Sequence, residues 1–490
     1  MTSPPTAGSP ETDETGYMPA PWAAAVAVMA LLAFGVLLGS AVSPAPASRA
    51  RTPVLVALTR AATKAAPPAP VSQAPAPPPV TQAATPSPAS TPEPPPASTT
   101  KAPAPSKPNA QSKGLSRPST RAQLPPIKHV FLIVLSGQSA AAFSPGSPAP
   151  YLAKTLPHQG ELLENYFAVS SGELANAIAL TSGQGPTTQT AADCPLYTDL
   201  TPAAAGAEGQ VLGSGCVYPR TTLTLGDQLT RAGESWKAYV EGLETGGPGQ
   251  PASCRHPVLG TTDLENAPSP QDAYVTWRNP FVYFHSLLDS PQCAKDDLGL
   301  GRLAADLKKT STTPSFAYIV PDRCHDGSET PCAPGQPAGL PASEAFLRKV
   351  VPEIEASGAY DRGGLIAITF DQAPQSGPAA DSSGCCMTAP YPNLPSPAAT
   401  PTTTPAPTAT SPTVSPNSAA APPATPAGGG RVGLLLISKY VKPGSLNVTG
   451  EYNHFALLRS IENLFGLGPL GYAGAPGLLA FDSSVFNAYK

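Results

Sequence analysis

The sequence predicts an α/β domain over residues 125–490, built as a mostly parallel sheet with helices on both faces. Two observations carry that prediction. Three short runs, residues 127–135 (IKHVFLIVL), 364–370 (GLIAITF) and 432–437 (VGLLLI), are apolar almost without a break, as strands buried on both faces are. Apolar residues also recur at helical spacing, at Phe346, Val350, Val351 and Ile354 and again through residues 455–465 (FALLRSIENLF).

Taken in order, the chain opens on a short acidic tail, residues 1–21, with Glu11, Asp13 and Glu14 and no base. Residues 22–42 (WAAAVAVMALLAFGVLLGSAV) are uncharged and apolar over the length that a bilayer-spanning helix requires. Two readings stand: a retained anchor, or a signal peptide cut near Ala41 and Ser43. The long apolar run and the lack of a preceding basic residue favour a signal anchor. Acidic residues before the run and Arg49, Arg51 and Arg60 after it favour an outside N-terminus by the positive-inside rule. The cysteines argue the opposite, and long domains translocate largely regardless of charge. The expected placement is the cell membrane, single-pass, with the C-terminal domain extracytoplasmic.

Much of the 490-residue chain cannot fold, because its 66 prolines gather in tracts with Ala, Ser and Thr. Residues 43–124 read as a disordered, Pro/Ala-rich, basic stalk, and residues 392–428 as a disordered insertion in the domain; neither can bury enough apolar surface to offset chain entropy. The stalk holds nine Lys and Arg against Glu93 alone. With the whole chain at −4, the domain is left at about −9, which excludes nucleic acid as its partner.

The 8 cysteines (194, 216, 254, 293, 324, 332, 385 and 386) all fall in the domain. An even number without paired Cys-x-x-Cys spacing points to disulfides in an oxidising compartment rather than to zinc. Sequence neighbours such as Cys194 with Cys216, or Cys324 with Cys332, are the natural pairings, although spacing alone does not fix the connectivity.

Several segments together resemble a known family. Lys128-His-Val-Phe-Leu-Ile-Val-Leu, Leu162-Leu-Glu-Asn-Tyr-Phe-Ala-Val-Ser and Ala179-Leu-Thr-Ser-Gly are similar to the opening of the phosphoesterase family, which includes acid phosphatases and phospholipases C. Leu365-Ile-Ala-Ile-Thr-Phe-Asp371 resembles its strand ending in an acidic metal ligand. Tyr452-Asn-His454-Phe-Ala-Leu-Leu-Arg-Ser-Ile-Glu462 resembles its C-terminal signature. The resemblance implies an alkaline-phosphatase-like sheet, preceded here by the transmembrane helix and the stalk. It also implies a hydrolase acting on phosphate ester bonds.

That chemistry uses a divalent ion to generate a nucleophile and to neutralise the transferred phosphoryl group. The chain departs from the family at those positions. Ser136-Gly-Gln-Ser139 stands where the family shows Glu-Asn-His-Ser, Glu173 stands in the nucleophile's place, and Asp371-Gln372 replaces a pair of acids. The resemblance therefore leaves Asp371, His454 and Asp322, with His325 and Asp326 nearby, as ligands for one divalent ion (Zn, Mn, Ca or Mg). Glu173, Ser171 and Asn176 are the catalytic candidates: Asn176 to hold a phosphate oxygen, Ser171 (or Ser170 or Thr181) as a displaced nucleophile, and Glu173 as ligand or general base. Glu173 also reads as a plain carboxylate at a helix N-terminus. His256 and His285 read as hydrogen-bonded structural residues, and Gly428-Gly-Gly430 as a hinge. The alternative function is a catalytically inactive protein that binds an envelope ligand or partner on the same scaffold.

Overall fold

A computed structural model describes residues 124–246, 250–386, 390–395 and 428–489. The expected anchor at 22–42, the stalk apart from Leu124, and most of the insertion lie outside these residues. Among the described residues no helix is long and apolar enough to cross a membrane.

Eight strands form the central sheet: β1 (His129–Leu135), β2 (Glu161–Leu163), β3 (Trp236–Val240), β4 (Asp297–Gly299), β5 (Phe316–Val320), β6 (Gly364–Phe370), β7 (Leu434–Ile437) and β8 (Ser445–Asn447). Their spatial order is β8-β2-β7-β6-β1-β5-β3-β4. Strand β1 lies at the centre, parallel to both β5 and β6 and buried along its whole length, as its unbroken apolar sequence requires. Strands β5 and β6 are buried at every residue for the same reason.

The run at 432–437 joins the sheet in the opposite sense, since β7 is antiparallel to both β6 and β2. A parallel partner needs a crossover, usually a helix, and no helix occurs among the described residues between β6 and β7. The sheet is therefore mostly, not wholly, parallel.

Four of the chain's helices are α1 (Glu173–Ser182), α2 (Leu225–Ala232), α3 (Gly339–Glu355) and α4 (His454–Leu464). In α3 the periodic residues Phe346, Val350, Val351 and Ile354 are all buried. Helix α4 starts where Asn453 caps it, its side chain accepting from the Ala456 amide at 3.0 Å. It then buries Phe455, Leu458 and Ile461.

Four disulfides pin the loops, Cys194–Cys216, Cys254–Cys293, Cys324–Cys332 and the adjacent pair Cys385–Cys386. The first and third are the pairings that sequence proximity suggests. Gly428–Gly430 acts by close approach rather than as a hinge. A Cβ on Gly429 would sit 2.0 Å from the Ser170 carbonyl oxygen, and one on Gly428 would sit 2.7 Å from that of Ser383. At the insertion's other end, Asn393 is already held, donating to the Val211 carbonyl at 2.7 Å and accepting from the Gly213 amide at 3.0 Å.

Candidate functional site

In open α/β sheets ligands meet the carboxyl ends of the strands, so the site is sought where β1, β5, β6 and β3 run out, at Ser136, Pro321–Asp322, Asp371 and Glu241. Helix α1 points its N-terminus into the same edge. Its first residue is Glu173, whose carboxylate complements the unpaired amides and dipole there.

An arginine that the sequence did not nominate occupies the centre of this edge. Arg278 ends a short 3₁₀ turn, Thr276–Arg278, and its side chain is 2% exposed. Its Nε donates to the Pro321 carbonyl at 3.2 Å and its Nη2 to the Val134 carbonyl at 3.0 Å, so the guanidinium is fixed against β5 and β1. Its Nη1 then faces three carboxylates: Glu173 Oε2 at 2.8 Å, Asp371 Oδ2 at 3.3 Å and Asp326 Oδ2 at 3.5 Å. Asp326 also accepts from the Ser328 amide at 2.8 Å and pairs with Arg323 at 3.3 Å.

Burial sets the electrostatics of the cluster. Loss of water, reinforced by the Glu173 charge and opposed by Arg278, holds the Asp371 carboxyl well above the usual carboxylate range. Asp326 is raised too, mainly by burial. Asp193, which accepts from the Leu174 amide at 2.9 Å behind Glu173, is pushed up to about 7 by burial and then by Glu173. The Arg278 guanidinium is raised by its acidic neighbours despite its own burial and stays charged. Asp371 Oδ1 and Ser136 Oγ are both buried with no protein partner in hydrogen-bond geometry.

The other nominated residues fall as follows. His454 is fully committed: Nε2 donates to the Asp371 carbonyl at 2.8 Å and Nδ1 accepts from the Tyr166 hydroxyl at 2.8 Å. Burial depresses its pKa to about 4, so it is a neutral brace between α4 and the end of β6. Asn176 spends its amide on its own loop, accepting from the Val169 and Ser170 amides at 2.9 and 3.1 Å and donating to the Ser170 and Gly172 carbonyls at 2.6 and 2.9 Å. Ser171 is exposed beside this loop, while Thr181 is buried in α1 and donates to the Ala177 carbonyl at 2.8 Å. His256 stacks on Tyr197, and His285 bridges Asp199 and Asp289.

Asp322 belongs to a second, more open cluster. There His325 Nδ1 lies 3.0 Å from Glu241 Oε2 and 3.1 Å from Asp322 Oδ1. Donating to the Asp322 and Glu241 carboxylates raises the imidazole to about 10.

A divalent ion does not fit the central set as it stands. Among the described residues two groupings of His, Cys, Asp or Glu bring their ligand atoms within 4.8 Å of one another. One is Glu241, Asp322 and His325; the other, Cys254, Cys293 and Asp297, has both cysteines in a disulfide. Neither includes Asp371, His454, Glu173 or Asp326. The guanidinium already sits among the oxygens an ion would need, and the imidazole has no free lone pair.

Residues 145–468 match the model of the Phosphoesterase family. No curated protein matches the chain. Similar solved structures include an alkaline phosphatase superfamily protein from Vibrio parahaemolyticus (12% identity, TM-score 0.35, covering 70% of this chain and 67% of that one). A phosphonate monoester hydrolase from Silicibacter pomeroyi is 10% identical, with a TM-score of 0.36 and coverage of 74% and 77%. A putative sulfatase from Bacteroides thetaiotaomicron is 11% identical, with a TM-score of 0.38 and coverage of 74% and 75%. The family match supports hydrolysis of ester bonds as the chemistry of this scaffold.

Proposed function

From the premise that this chain belongs to the phosphoesterase family, which its match over more than half of its length establishes, we propose a member whose strand-end centre is closed to metal-driven hydrolysis and which acts by binding an envelope ligand or partner. The observation that carries this reading is the Arg278 guanidinium, buried among Glu173, Asp371 and Asp326. Metal catalysis of phosphoryl transfer needs a cation with open positions for the substrate oxygens and the nucleophile. A guanidinium has neither open coordination sites nor the ability to activate water. Glu173 in the nucleophile's place is ion-paired to it rather than free to attack.

The four disulfides support placing the domain outside the cytoplasm, where thiols are oxidised. The apolar run at 22–42 supports a membrane anchor.

A second reading, a phosphoester hydrolase of low turnover, is favoured by the family match and by the exposed Ser171 beside Glu173. The test is hydrolysis of aryl phosphomonoesters and phosphodiesters by the full chain with added Mn, Zn, Ca or Mg. The expected outcome is no turnover above a denatured control. Metal-dependent turnover that Asp371→Ala abolishes would establish the second reading instead.

A further inference from the structure

We infer that the adjacent pair Cys385–Cys386 is a thiol-exchange site: a dithiol reductant opens it while the other three disulfides stay closed, and opening it loosens the cap of α4. Neither step involves the acids around Arg278.

Three properties set this pair apart. The other bridges join residues 22, 39 and 8 apart in sequence, whereas this one joins neighbours. A bridge constrains the unfolded chain more as its loop lengthens, so the adjacent pair contributes least to global stability and can open without unfolding the domain. Each of the other bridges also has at least one buried cysteine (Cys194 and Cys216, Cys293, Cys324), while Cys385 and Cys386 are both partly exposed. An attacking thiolate needs access to a sulfur, and exposed or strained bridges are the ones that exchange. Finally, Cys386 is held at φ 70°, in the left-handed region that a residue with a Cβ enters only at a cost. Opening the ring lets it leave.

The loop that carries the pair is joined to α4. The Cys385 carbonyl accepts from Asn453 Nδ2 at 3.1 Å, and Cys385 Sγ lies 3.3 Å from the Tyr452 carbonyl oxygen. The other end of the Asn453 side chain, Oδ1, is the α4 cap and accepts from the Ala456 amide. Asn453 is fully buried, so losing the Cys385 carbonyl either leaves its amide unpaired or turns it away from the helix. The next residue, His454, braces the end of β6 through the Asp371 carbonyl. On the other side the loop is fixed, because the Gly428 and Gly430 amides donate to the Ser382 and Ser383 carbonyls, both at 2.8 Å. Movement on opening is therefore concentrated at Cys385 and Cys386.

The exchange needs a dithiol and nothing more. One thiolate of the reductant attacks one sulfur of the pair, and the other sulfur leaves as a thiolate. The second thiol of the reductant then displaces the first cysteine from the mixed disulfide. Two electrons and two protons pass to Cys385 and Cys386, and the reductant departs as its own disulfide.

The experiment exposes the folded full chain to graded dithiothreitol, traps free thiols with N-ethylmaleimide, maps them by peptide mass, and follows amide hydrogen exchange on the same samples. Cys385 and Cys386 should be labelled at concentrations at least about tenfold below those that label any other cysteine. In that window the Ala456 amide should exchange about fivefold faster, the shift that one lost hydrogen bond brings. Cys385→Ser/Cys386→Ser should show the faster rate with no reductant. Asn453→Asp, which keeps the cap oxygen but cannot donate to the Cys385 carbonyl, should make Ala456 indifferent to dithiothreitol. If Cys385 and Cys386 are labelled only together with the other cysteines, the pair is structural and the inference fails. It fails equally if they are labelled first and Ala456 exchange in the wild type is unchanged, because α4 would then be capped independently of the loop. The wild-type titration decides between these outcomes even where the serine variant does not fold.

Discussion

Two acidic clusters lie on the same carboxyl edge of the sheet, and they solve the same electrostatic problem differently. At the end of β3 and β5, Glu241 and Asp322 share His325, with side chains 20%, 12% and 40% exposed. At the end of β1 and β6, Glu173, Asp326 and Asp371 share Arg278, which is 2% exposed. In the open cluster water does much of the screening, so a titratable imidazole suffices. In the closed one Arg278, Asp326 and Asp371 are 2%, 1% and 4% exposed, so little solvent screening reaches them, and the counter-ion must be permanent, planar and able to donate in several directions, which only arginine offers among side chains. Residue types that look alike in sequence thus become a loose surface network in one place and a sealed centre in the other. Burial decides the difference.

The largest expected effect breaks the closed cluster. Arg278→Met keeps an apolar stem but leaves three acids uncompensated, and should cost about 3–5 kcal/mol in denaturant unfolding. A cost below about 1 kcal/mol would mean the centre is as wet as its neighbour.

Removing an acid should behave in the opposite way, because acids are in excess around Arg278. Asp371→Asn keeps the shape and should cost no more than about 1 kcal/mol at neutral pH. Its pH dependence carries the sign: Asp371 is raised in the folded state, so the wild type is favoured below the unfolded carboxylate pKa and loses stability as pH rises. The variant, unable to ionise, should therefore gain on the wild type as pH increases. If the variant instead lost a bound divalent ion and several kcal/mol, the cation at this centre would be a metal and not Arg278.

How much of this was legible in the sequence follows from burial as well. Strands β1, β5 and β6 are buried at every residue, and for β1 and β6 the apolar run shows it directly. Helix α4 was legible because one buried face imposes a 3.6-residue period. The reversed sense of β7 was not legible, since an apolar run carries no direction. Asp371 was visible as the acid ending a strand, and Glu173 as the residue in the nucleophile's place. Arg278 was hidden. It lies in a turn too short for any period, 105 residues from Glu173 and 93 from Asp371. One signal was available: Ala273–Phe284 reads AYVTWRNPFVYF, a lone base in an otherwise apolar, aromatic stretch. An arginine carried into the core with that segment has to find buried acids.

The smallest expected effect sharpens the comparison from the open side. His325→Gln removes the shared cation of Glu241 and Asp322, where solvent already screens the pair, so at pH 6 it should cost about 1 kcal/mol or less. The sign is fixed by the raised imidazole. Its contribution is complete below the unfolded value of 6.5 and fades as pH climbs through about 10. Wild type and variant should therefore differ at pH 6, converge by the alkaline end, and differ less in high salt at any pH. The Arg278 pairing should show no salt dependence, because salt does not reach it, and its pH dependence should come from its buried acids alone, because a guanidinium does not titrate in that range. A salt-insensitive cost of several kcal/mol at His325 would place a second sealed centre on this edge and remove the contrast between the two clusters.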